Sequence, residues 1–285
     1  MGMYVRVPEQ DWKNICNSTR NKTGGTDLLK SGAISPAIDS IQTGGGGGAS
    51  PEWFNDGNTH IWITLGEGRT SPMLGCCPRG TVTVDWGDGT EPVVLTGTGG
   101  MKWTPTHEYA KPGDYVISLS VDGTMGFYGT ANTNGGSGIL RYTNGSDKRN
   151  IAYQGLVRKI EIGSGVNSIS TSSVQGAFYN CHSLASVRIP DGVTLIAQSA
   201  FYNCHALASV RIPDGVTEIG TNAFYNCYGV RYYDFSACTS VPALMNTITF
   251  NGIPSDCQML IPSALYDEWS TATNWATYAS YMVAV

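Results

Sequence analysis

The sequence predicts a mainly β protein: a β-sandwich followed by a repeat solenoid, with a small N-terminal helical segment. Three observations carry this. The segment Ala177-Phe178-Tyr179-Asn180-Cys181 returns at 200–204 and at 223–227, a fixed period of 23 residues. A fixed period in this range marks a solenoid, in which each unit buries its apolar face only against its neighbours. Upstream, Thr81-Val82-Thr83-Val84 alternates polar and apolar residues and runs into Asp85-Trp86-Gly87-Asp88-Gly89-Thr90, a strand leading into a tight turn. Charged residues make up only 14% of the chain, and 36 of its 285 residues are Gly, which suits turn-rich β structure better than long surface helices.

The N-terminal segment, 1–43, is expected to be helical. Trp12, Ile15, Cys16 and Thr19 follow i, i+3, i+4, i+7 spacing behind Pro8. Thr23-Gly24-Gly25 ends that helix, and Ser35-Pro36 opens a short second one carrying Ile38 and Ile41. About forty residues are too few for a private core, so the segment is expected to attach to a partner or to its own copies. It is similar to N-terminal segments of prophage tail proteins. Gly44 to Gly48 form an unbroken glycine run, which places a flexible linker over 44–58.

The middle region, 59–123, carries Trp86-Gly87-Asp88-Gly89-Thr90 and then His107-Glu108-Tyr109-Ala110-Lys111-Pro112-Gly113-Asp114-Tyr115. In that order these motifs resemble a PKD domain, an immunoglobulin-like β-sandwich. The resemblance implies a spacer or an interaction module, with Trp86 and Tyr109 as framework residues. Asp85 and Asp88 suit either a hydrogen-bonded turn or a cation, but calcium needs six to eight oxygens and the neighbourhood offers few. Residues 124–149, rich in Gly, Asn and Thr, are expected to be a joint that wanders over the surface or caps the first coil.

The third region, 150–285, can be read from one unit, Leu207-Ala-Ser-Val210-Arg-Ile212-Pro-Asp-Gly215-Val216-Thr-Glu-Ile219. Val210 and Ile212 alternate with Ser209 and Arg211 as a half-buried strand. Pro213-Asp214-Gly215 makes the turn, with Gly expected at positive φ. A degenerate first unit aligns Ile160 with Val187, and a last unit places Tyr233 and Phe235 where Val210 and Ile212 stand. The pattern resembles BspA-type leucine-rich repeats of bacterial surface and phage proteins, and 266–278 resembles the cap that follows them.

Strand pleating sets outward rows of Glu161, Arg188, Arg211 and Asp234, and of Lys159, Ser186, Ser209 and Tyr232. With coils about 4.8 Å apart, Glu161 should pair with Arg188 and Arg211 with Asp234. The rows are either a self-neutralising exposed ladder or a polar ligand face. If a ligand face, its binding residues are Arg188, Arg211, Tyr232 and Asp234.

A net charge of −5 without a basic run disfavours nucleic acid. No stretch approaches the roughly 20 apolar residues of a membrane span. Residues 1–6 lack the apolar core of an export leader, so none is expected unless one preceding Met1-Gly2-Met3 has been removed. The phased cysteines Cys181, Cys204 and Cys227 are expected to be reduced and buried; His182 and His205 follow two of them and suggest a Cys/His metal row, but familiar zinc spacing is absent, so no metal or cofactor is expected. There is no G-x-S-x-G, H-E-x-x-H or Walker loop, and nothing brings Glu67, Glu91 and Glu108 together, so no enzyme is expected.

These resemblances imply a non-enzymatic tail-associated protein of a phage or prophage, located on the virion. It would bind a bacterial surface protein or glycan, contact other tail proteins and form a homo-oligomer through its N-terminal segment. The alternatives are a bacterial cell-surface or secreted adhesin for host protein or glycan, and a structural virion decoration without a receptor.

Overall fold

The structure is a computed structural model and describes residues 53–66, 70–99, 103–127, 140–142, 157–169 and 176–285. The predicted helices of 1–43 and the glycine run lie outside these residues. The described chain is mainly β, with one α-helix, α1 (Tyr266–Thr271), and two short 3-10 turns near the C-terminus. No described helix is long and apolar enough to cross a membrane.

The N-terminal unit is built on β1 (Thr59–Leu65), β2 (Pro72–Leu74), β3 (Cys76–Asp85), β4 (Val93–Thr98) and β5 (Gly113–Phe127). β3 pairs antiparallel with β4 and, along its whole length, with residues 118–127 of β5, and β5 pairs antiparallel with β1. A separate two-stranded ribbon joins β2 to β6 (Leu140–Tyr142). Val82, Val84, Ile117 and Leu119 alternate inward and are fully buried, as the period-2 pattern requires. The expected boundary at 123 does not coincide with a break in structure. β5 runs on to Phe127, and β6, within the expected joint, pairs back with β2.

The repeat region stacks coil on coil through two parallel ladders. One is in two parts, β7 (Val157–Glu161) with β9 (Ser186–Arg188), and then β11 (Ser209–Arg211), β13 (Tyr232–Asp234), β15 (Gln258–Ile261) and β16 (Met282–Ala284). β7 pairs with β9, β11 with β13, and β13, β15 and β16 follow one another, all in parallel. The other ladder stacks β8 (Val166–Ile169), β10 (Leu195–Ile196), β12 (Glu218–Ile219) and β14 (Ala243–Leu244). Ile160 lies opposite Val187 and Val210 opposite Tyr233, so the alignment of the degenerate first and last units holds.

Each coil places one Phe on the stack axis. Phe178, Phe201 and Phe224 are fully buried, with ring centres 5.1 and 5.2 Å apart. The row extends beyond the repeats at both ends. Phe250 stacks on Phe224 at 5.4 Å, and Phe127 of β5 meets Phe178 edge-on at 5.4 Å. At the C-terminal end Trp269 and Trp275 close over Phe235, and the Trp275 indole N–H donates to Pro242 O at 2.7 Å.

The glycine of the Pro-Asp-Gly turn is required by contact, not by a positive φ. Gly215 is absent from the residues at positive φ, but a Cβ there would lie 2.1 Å from Asp191 O of the preceding coil. The left-handed positions belong instead to Asn180, Asn203 and Asn226, at φ 62, 59 and 59. Asn tolerates that region because its short amide bonds locally. The Asn203 amide donates to Asn180 Oδ1 at 2.8 Å, and that of Asn226 to Asn203 Oδ1 at 3.0 Å.

The two regions share one sheet. β1 pairs antiparallel with β7, and β5 pairs in parallel with β8, so both ladders of the first coil are met by strands of the N-terminal unit. A stacked coil must have its open end covered. β1 and β5 provide that cover here.

Candidate functional site

The strand face formed by β7, β9, β11 and β13 holds the four predicted binding residues, and the register places them as expected. Their side chains differ from the expectation. Glu161 does pair with Arg188, at 3.3 Å, but its carboxylate is buried. It also accepts the backbone N–H groups of Phe54 at 2.8 Å and Asn55 at 3.1 Å, and Arg188 bonds the Asn55 side chain. Residues 53–55 of the expected linker are therefore strapped across the face. The strap is tightened by Lys159, whose ammonium lies 3.7 Å from the centre of the Trp53 ring and 4.5 Å from that of Trp62. Burial lowers the Lys159 pKa, with the Glu161 charge opposing and Arg188 adding.

The second predicted pair does not form. Arg211 and Asp234 are directly opposite in register, yet no ion pair joins them. Asp234 is 1% exposed, not projecting. Its Oδ1 accepts the Ser236 N–H at 2.9 Å, and its Oδ2 has no hydrogen-bond partner. The Asp234-Phe235-Ser236 stretch is an Asx turn, and the local amide wins over the guanidinium of the neighbouring coil. Arg211 is left exposed. Tyr232 is half-buried and packs on Leu260. Two guanidinium groups, Arg188 and Arg211, thus occupy the same position in consecutive coils, on strands that belong to two adjoining sheets.

The turn segments between the ladders present further rows of side chains. Tyr179, Tyr202 and Tyr225 stack at 4.8 and 4.9 Å, and His182, His205 and Tyr228 at 4.7 and 5.1 Å. The signal was the same 23-residue phase.

The seven described cysteines are buried and unbridged. The Cys204 thiol donates to Phe178 O at 3.3 Å and the Cys227 thiol to Phe201 O at 3.2 Å. Burial pushes the Cys227 thiol up to about 12 and raises Cys181 and Cys204 as well, so these groups are thiols and not thiolates at neutral pH.

In the N-terminal unit Asp85 accepts the Gly87 N–H at 2.8 Å, and Asp88 accepts the Thr90 N–H and hydroxyl at 3.2 and 2.7 Å. Both carboxylates thus close the turn. The second Asp88 oxygen meets His107 Nε2 at 2.8 Å, His107 stacks on Trp86 at 5.0 Å, and the Tyr109 hydroxyl donates to Trp86 O at 2.7 Å. Trp86 and Tyr109 are buried framework residues.

One constellation resembles a nucleophile with its base. His60 contacts Ser118 Oγ through Nδ1 and Asp56 Oδ1 through Nε2, each at 2.9 Å. The nitrogens are reversed relative to a serine nucleophile's base, which meets the hydroxyl through Nε2. The imidazole is buried under Phe54, whose ring stacks on it at 4.0 Å. This arrangement pins the strap to β1 and β5. Of the carboxylates weighed for glycoside chemistry, Glu67 lies outside the described residues.

No curated protein matches the chain. Residues 171–244 match the family described as BspA type leucine rich repeat region (6 copies), the stretch that contains the stacked Phe and Asn rows.

Proposed function

We propose that the chain is a non-enzymatic recognition protein. In this reading a PKD-like sandwich carries a leucine-rich repeat solenoid whose strand face meets a bacterial envelope, on a phage or prophage tail. The observation that carries it is the stacked strand face that presents Arg188 and the exposed Arg211 in consecutive coils, with Tyr232 on the strand paired to that of Arg211. Arg and Tyr dominate binding energy most often where they are held on a fixed frame. The envelope ligand is a surface protein or glycan. The N-terminal segment, 1–43, attaches to other tail proteins or to copies of itself. A bacterial surface adhesin is the second reading, favoured by the BspA-type repeat match.

The test is binding of the full chain to a panel of bacterial cells, with and without substitutions on the face. Arg211→Ala touches no hydrogen bond of the fold, so it should weaken binding and leave the thermal midpoint unchanged. The triple variant Arg188→Ala, Arg211→Ala, Tyr232→Ala should abolish binding. Binding retained by the triple variant would overturn the strand face as the site.

A further inference from the structure

We propose that His182 and His205 form an open two-imidazole site for a late first-row divalent cation, Zn2+, Ni2+ or Cu2+. The site is independent of the strand face and of the reading given above.

The two histidines occupy the same position in consecutive coils, and their ring centres are 4.7 Å apart. In a tetrahedral pair of imidazoles each nitrogen lies about 2.0–2.1 Å from the metal, and the ring centre about 1.1 Å further. That puts the two ring centres about 5 Å apart. The coil spacing thus matches that separation of ring centres, but the rings are stacked with 30° between their planes, so the exposed His205 ring must turn about χ2, a broad torsion, while His182 keeps its Nδ1 bond.

The nitrogens are suitably prepared. His182 Nδ1 lies 3.0 Å from Asn203 O. A carbonyl can only accept, so Nδ1 carries the proton and Nε2 keeps its lone pair. A backbone carbonyl fixes the tautomer of metal-binding histidines in the same way. His205 is exposed, and neither of its ring nitrogens has a hydrogen-bond partner among the described residues. Tyr228 stacks on His205 at 5.1 Å.

The donor set decides the class of metal. Among the described residues no cluster of three or more His, Cys, Asp or Glu side chains is present. Cys181 and Cys204, each one residue before a histidine, are buried, and Cys204 points to Phe178 O. Two imidazoles without a carboxylate suit Zn2+, Ni2+ and Cu2+ and exclude the oxygen-seeking Ca2+ and Mg2+. The remaining coordination positions take water or an oxygen or nitrogen donor of a bound partner.

The experiment is calorimetric titration of the full chain, carrying no polyhistidine tag, with NiCl2 and separately with ZnCl2 and CuCl2 at neutral pH. One site per chain is expected, weakened at least about tenfold in His182→Ala and in His205→Ala. Because both side chains are at least partly exposed, these variants should retain the fold, which circular dichroism checks. The cation should raise the thermal midpoint of the parent chain and not that of His205→Ala. Absence of binding by all three cations, equal affinity in either variant, or equal binding of CaCl2 would overturn the site.

Discussion

The repeat region and the N-terminal unit both bury aromatic rings, but they hold them in different ways. In the N-terminal unit Trp86, His107 and Tyr109 pack on one another and are locked by hydrogen bonds to Trp86 O and Asp88. That cluster is closed within its own strands and turns. In the repeat region each ring is held by copies of itself. Phe201 lies between Phe178 and Phe224, and its backbone N–H donates to Ala223 O of the next coil. No coil there owns a core, so stability depends on the interfaces between coils. Phe127 belongs to both arrangements, being the last residue of β5 and the first member of the Phe row.

The largest effect is expected on that row. Phe201→Ala should cost about 3–5 kcal/mol, read from chemical denaturation. Phe127→Ala should cost a similar amount although it lies outside the repeats. If the shared sheet makes the two regions one cooperative unit, both probes of unfolding shift together: the near-ultraviolet signal of Trp86 and that of Trp269. Separate transitions would show that the regions fold independently. A smaller effect is expected at the Asn row. Asn203→Ala puts a Cβ-bearing residue without a local acceptor at φ 59, which costs about 1–2 kcal/mol. Asn203→Gly should recover the backbone part of that loss, leaving only the broken amide row.

The smallest effect concerns pH and belongs to the N-terminal unit. Burial alone would raise the Asp88 carboxyl, but hydrogen bonds from Thr90 and His107 outweigh it and hold the group below its ordinary value. A carboxyl depressed in the folded state contributes stability above its unfolded pKa of about 3.9, and that stability is lost as pH falls through the folded value. Asp88→Asn should therefore flatten the thermal midpoint's decline below about pH 4, with little change near neutrality. An unchanged acid limb would show that Asp88 does not set it.

How much of this could be read from the sequence differs between the two regions. The 23-residue phase fixed Phe178, Phe201 and Phe224 in one row and set the register of Arg211 against Asp234, because repetition removes the ambiguity of a single strand. Phe127 and Phe250 escaped it because they join the same row out of phase: 224 to 250 is 26 residues, and Phe127 sits in a different kind of strand. The joint drawn at 123 followed the glycines, yet Gly123 and Gly126 lie inside β5. At the candidate site, register was legible and side-chain choice was not. Whether Asp234 turns to Arg211 or to the Ser236 amide depends on a local competition worth about 1 kcal/mol, which periodicity does not report. The strap of residues 53–55 had no signal of its own, since a glycine run beside it read as a linker.

The splice at β1 has a mechanical consequence. β1 is bonded along its length to β5 on one side and along part of it to β7 on the other. A pull drawn along β1 from the N-terminal side is shared at once by both neighbours. Their hydrogen bonds then resist as a set in shear and are not opened one at a time. The repeat coils behind β7 would be shielded until that junction yields, and the strap of residues 53–55, which lies ahead of β1, would be loaded before either.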